Sequence, residues 1–208
     1  MIPTNMEIHR ALDQISQIHE HLARTEVCRE VRAIPVCLSG IAGLAAAFLQ
    51  NHLFPRPTSA QFVLFWSGVA ALCLLVGGAG ILYNYLRQKS ALARRQTRMI
   101  LGQIAPSIVA GVFVTIAAAG SPSFGAELLP GLWACLFSLG IFAARPYLPR
   151  IIGWVALFYL LAGAILLGLA GYDMSLSPWG MGITFGIGQF ASGLVLFWDL
   201  ERSKNGWK

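Results

Sequence analysis

The 208-residue chain is 56% hydrophobic and only 12% charged, with a formal net charge of +6, whereas soluble domains carry about 25% charged residues. A soluble fold of this size cannot hide so much apolar surface, and the charges fall in short clusters between apolar stretches of roughly 20 residues, the length of a membrane-crossing helix. A soluble domain is thereby excluded, and the expected class is all-α: a polytopic membrane helix bundle of six transmembrane helices preceded by a cytoplasmic amphipathic helix.

Residues 1–32 form the first expected unit. They carry nine charges and no continuous apolar run, which argues against a secretory signal peptide. Thr4 and Glu7 fit a capping box, so a helix is expected from near Asn5. Ile8, Ala11, Ile15, Ile18 and Leu22 then recur at helical spacing, with Leu12 alongside. The opposite face mixes Glu7, Arg10, Asp13, Glu20 and Arg24, unlike the Lys/Arg-rich face of a membrane-surface helix. Ile8, Ile15, Ile18 and Leu22 are therefore a candidate partner-docking stripe, facing either a cytoplasmic or membrane protein or the chain's own loops. His9, Asp13 and Glu20 share a face, but no second ligating helix is evident, and a solvated polar surface explains them without a metal.

The second unit, residues 33–199, contains six expected spans: Ala33 to Leu53, Phe62 to Tyr83, Ile100 to Gly120, Leu128 to Ala144, Ile151 to Gly171 and Pro178 to Trp198. Residues 200–208 form a tail. Fourteen of the fifteen Lys and Arg residues fall on one side: the N-terminal segment, the loop from Arg87 to Arg98, Arg145 with Arg150, and the tail. Arg56 alone falls on the other. Because basic residues are retained in the cytoplasm during insertion, both termini are expected there, in the inner (plasma) membrane. Trp66, Trp133, Tyr172 and Trp179 then lie at outer helix ends and Tyr83, Tyr85, Tyr147, Trp154 and Trp198 at inner ones, as interfacial aromatic belts do. Only Tyr159 sits well inside a span.

Small residues recur four apart at Ser39, Gly43 and Ala47, at Ala164 and Gly168, and at Gly182 and Gly186, which predicts close helix packing on those faces. Gly77, Gly78 and Gly80 are read the same way, and Pro106 is expected to disturb the third span. Cys28, Cys37, Cys73 and Cys135 form no C-x-x-C pair and are not expected in disulfides.

The constellations that carry chemistry fail one by one. An intramembrane serine protease needs a base for its nucleophile; Ser138 has Gly140 nearby, but the last span contains no histidine, and Ser138 is read as bonding a carbonyl of its own helix. Asp173 is a lone carboxylate. With His9, His19 and His21 outside the membrane and only His52 near it, no bis-histidine haem site can be built. No Asp, Glu, Lys or Arg falls at mid-membrane, where ion and proton paths leave them. The mild polar residues Ser67, Gln103, Ser107, Thr115, Ser138, Thr184, Gln189 and Ser192 read mostly as interhelical hydrogen bonds, and Gln103 and Gln189 stand out as candidate intramembrane polar sites. The basic loop suits anionic lipid, and the positive-inside rule alone accounts for it without nucleic acid.

The reading that follows is a non-enzymatic membrane anchor, sensor or accessory subunit, without cofactor, that sits in the lipid bilayer and docks a partner through its N-terminal helix. The alternative is a small channel or carrier for a neutral or apolar solute. A homo-oligomer is compatible with both.

Overall fold

The computed structural model describes residues 33–87, 91–120, 125–170 and 176–205. The stripe of Ile8, Ile15, Ile18 and Leu22, its Thr4–Glu7 cap and the His9 face lie outside the described residues. The helices are α1 (Ala33–Leu53), α2 (Ser59–Arg87), α3 (Ala91–Gly120), α4 (Leu129–Ala144), α5 (Ile152–Gly168) and α6 (Pro178–Asn205), with short 3-10 turns at Ala126–Leu128 and Arg145–Tyr147 around α4. Among the described residues, five helices are long and apolar enough to cross a membrane, α4 being counted with its flanking turns. α5 has 17 residues and is about 25 Å long, slightly under the hydrocarbon thickness of about 30 Å. Leu64, Leu75 and Phe113 are 77%, 70% and 66% exposed. A soluble monomer rarely displays apolar patches on this scale, and lipid is the solvent that suits them.

Several boundaries differ from the sequence expectation, α2 running on past Tyr83 to Arg87 and α5 ending at Gly168 before Gly171 among them. α2 starts at Ser59 rather than Phe62 because Thr58 and Gln61 form a reciprocal capping box, the Thr58 amide donating to Gln61 Oε1 at 3.0 Å and the Gln61 amide to Thr58 Oγ1 at 3.3 Å. α3 starts at Ala91, nine residues before Ile100, since Leu92 and the arginines are good helix formers with no breaker among them. α6 likewise continues past Trp198 to Asn205. By contrast α1 stops where the sequence requires: Pro55 and Pro57 cannot continue it, and the Phe54 amide closes onto the Gln50 carbonyl at 2.7 Å. α3 runs through Pro106 as helix.

The helices form a ring in the order α2, α1, α6, α5, α4, α3, and the seam between α3 and α2 is slight. The most extensive contact joins α1 to α6, bringing together the two ends of the bundle. There the predicted small-residue faces meet. A Cβ added at Gly40 would lie 2.7 Å from the Gly186 carbonyl oxygen and 2.9 Å from the Phe190 nitrogen, while Gly43 and Ala47 face Gly186 and Gly182. The contact between α4 and α5 is equally close, but its small residue on α5 is Gly163, whose added Cβ would lie 2.9 Å from the Gly131 carbonyl oxygen. The predicted Ala164–Gly168 face is not a packing face: Ala164 is exposed and Gly168 has open space around it. Behind α4 and α6, Tyr159 is fully buried, its ring 4.9 Å from Phe137 and 5.5 Å from Phe185.

Candidate functional site

Among the described helices, α2 packs least against its neighbours, and it defines the site. Of the 29 residues in α2, only Phe62 and Trp66 are buried. Both sit in its first turns, where Trp66 Nε1 donates to Gln50 Oε1 of α1 at 2.6 Å. From that anchor α2 runs beside α1 and α3 with little contact to α3, although residues 88–90 alone connect the two. The space left between α2 and the walls of α1, α3, α4 and α6 is a cleft of about 510 Å³, within the roughly 300–1,000 Å³ typical of small-molecule sites. It reaches along α2 from Trp66 to Asn84, about 27 Å at the helical rise and close to the hydrocarbon thickness.

Small residues on α2 create the room. A Cβ at Gly77, Gly78 or Gly80 would meet nothing within 4 Å, and Gly77 and Gly80 line the cleft. These glycines are therefore not a packing face, contrary to the sequence expectation. With no helix pressed against them they leave a recess in the wall.

Several polar groups on the walls are satisfied by the protein itself. Trp133 Nε1 donates to Thr115 Oγ1 at 2.9 Å, and Thr115 in turn donates to the Gly111 carbonyl at 2.7 Å. Ser39 donates to the Val36 carbonyl at 2.7 Å. None of the lining residues is Asp, Glu, Lys, Arg or His. Such a surface offers dispersion contacts along most of its length and few hydrogen bonds, which suits an apolar guest.

The structure separates the two candidate glutamines. Gln189 lines the cleft from α6, whereas Gln103 is exposed on α3 and does not line it. Gln103 lies five residues from Arg98, about 7 Å along the helix. Ser138 donates to the Ala156 carbonyl of α5 at 2.6 Å, so it ties two helices together instead of bonding its own helix as expected. Ser192, grouped among the expected interhelical bonds, instead bonds within its own helix, to the Gly188 carbonyl at 2.8 Å. Gln50 is a buried amide that the sequence reading missed. Its sequence signal was present, since it falls near the end of the first span and Trp66 near the start of the second, but only the packing of the two helices pairs them.

At the other end of the cleft stand the arginines. The Arg87 guanidinium lies 4.5 Å from the centre of the Tyr83 ring, and that of Arg94 lies 5.7 Å from the Tyr85 ring and bonds the Leu86 carbonyl at 3.5 Å. Cation–π contact of this kind holds the two guanidinium groups against the last turn of α2. Comparison of the chain with protein-family models, with curated proteins and with solved structures gives no match.

Proposed function

We propose that this protein is a non-catalytic, multi-pass membrane protein that takes an apolar molecule from the bilayer into the cleft beside α2, as a carrier or a sensor of it. The observation that supports this reading is the cleft itself: it is as long as the hydrocarbon layer, its lining carries no ionisable acid or base other than the Cys73 thiol, and it lies beside the slight α2–α3 seam. An ion or proton path would call for ionisable groups in such a place. A diazirine-bearing long-chain alcohol, photoactivated with the protein in mild detergent, tests it. Labelling is expected on α2 and α3 residues that face the cleft; labelling confined to outward-facing residues such as Leu64 and Phe113 would overturn the proposal.

In the topology that goes with this reading α5 is a sixth span, and both termini lie in the cytoplasm of a cell with the protein in its inner (plasma) membrane. The alternation of basic loops supports it. Single cysteines at Ser59, Ser123 and Ser175 in a Cys-free background should react with an impermeant thiol reagent outside intact cells, and cysteines at Ser16, Ser90 and Ser203 should not. A second reading, an accessory subunit docked through Ile8, Ile15, Ile18 and Leu22, rests on the periodicity of those residues. Hydrogen exchange of residues 5–30 that is rapid in every condition and unchanged by Ile15→Glu would dispose of it.

A further inference from the structure

The cleft and the arginine cluster meet at one place, and neither alone requires the other to be there. Asn84, the last cleft-lining residue of α2, is followed three residues later by Arg87, one turn on along the same face. On α3, Ile104, Ile108 and Gly111 line the cleft, and the same face continued toward the helix start carries Arg94. No Asp or Glu occurs between Asn84 and Ile100, where Arg87, Lys89, Arg94, Arg95 and Arg98 do. The start of α3 at Ala91 adds the positive end of a helix dipole to the same corner. The positive-inside rule accounts for basic residues in this loop, but not for an apolar cleft that opens one turn away from them.

Resting on the apolar-cleft reading above, we infer that the guest is an anionic amphiphile, with its hydrocarbon chain in the cleft and its phosphate or carboxylate head at the arginines of the α2–α3 corner. Guanidinium groups bind such oxyanions through paired N–H donors, and Arg87 and Arg94, supplied by two different helices, flank the last turn of α2 at the Tyr83 and Tyr85 rings. The cleft interior needs no Asp, Glu, Lys, Arg or His because the charge of the guest remains at the water interface.

Tryptophan fluorescence reads this directly. With Trp154, Trp179, Trp198 and Trp207 replaced by Phe, the remaining indoles are Trp66 and Trp133, both in the cleft wall. The full chain is placed in zwitterionic nanodiscs and titrated with brominated-chain phosphatidylglycerol or brominated-chain phosphatidylcholine. The anionic lipid should quench at an about tenfold lower mole fraction, equivalent to about 1.4 kcal/mol. Arg87→Gln with Arg94→Gln should abolish that preference, and Arg87→Lys with Arg94→Lys, which keeps charge and insertion, should retain much of it. Equal quenching by both lipids, indifferent to the glutamine variant, would overturn the anionic head while leaving an apolar cleft. Quenching by neither would overturn the cleft reading itself. Binding of inorganic phosphate that depends on Arg87 and Arg94, with no preference for the anionic lipid over the zwitterionic one, would overturn a lipid as the source of the anion.

Discussion

Glycines in the two halves of this bundle serve opposite purposes. At the α1–α6 and α4–α5 contacts, Gly40, Gly131 and Gly163 let backbones approach so closely that an added Cβ would lie within 3.0 Å of main-chain atoms. In α2, Gly77, Gly78 and Gly80 have nothing within 4 Å of such a Cβ. The same residue type is a contact surface in one region and vacant volume in the other. What decides is whether a second helix is held opposite it, so a small-residue stripe predicts packing only when its partner helix is known.

The largest expected effect is at the close contact. Gly163→Val would drive α4 and α5 apart, because both the Gly131 carbonyl oxygen and the Cys135 nitrogen lie within 3.0 Å of the new Cβ. The cost should be on the order of 3 kcal/mol, a large part of the roughly 5–15 kcal/mol that holds a typical fold together, read as a lowered midpoint in detergent unfolding. Next comes the anchor of α2. Gln50→Ala leaves the buried Trp66 N–H without an acceptor and should cost about 2 kcal/mol. Gln50→Leu combined with Trp66→Phe should cost less than the sum of the single changes, since no polar group is then stranded. An additive result in the double-mutant cycle would show that the Trp66–Gln50 bond does not hold α2.

Much of the fold was legible because lipid makes the rules simple: apolar length and the charged clusters between apolar runs place the helices, and Pro55 and Pro57 end the first one. The Thr58–Gln61 cap was legible too, in the same pattern recognised at Thr4 and Glu7, and overlooking it displaced the start of α2. The cleft was not legible. It depends on α1 packing against α6 at the far end of the chain, which leaves α2 beside a slight seam, and no local pattern in α2 encodes that. For the same reason Gln103 and Gln189 looked alike in sequence, although neighbouring helices leave the first on the outer surface and bring the second to the cleft wall.

A smaller effect is expected where a hydrogen bond, rather than backbone contact, joins the tight half. Ser138→Ala removes the bond to the Ala156 carbonyl and should cost about 0.6 kcal/mol, the average for interhelical side-chain bonds in membranes. An unfolding midpoint lowered as far as by Gly163→Val would show that Ser138, and not the close glycine contact, fastens α4 to α5.

The smallest effect on stability should accompany the largest effect on binding. Gly77→Leu with Gly80→Leu puts two side chains into vacant space, so stability should change by no more than about 0.5 kcal/mol, while the cleft is filled. Native mass spectrometry of wild type and this variant, released from the same mild detergent after purification from membranes, is the most direct test of the cleft as a binding site. Wild type should carry one lipid-sized adduct per chain, and the equally stable variant should carry none. The same adduct population on both proteins, or no adduct on wild type, would contradict the proposal.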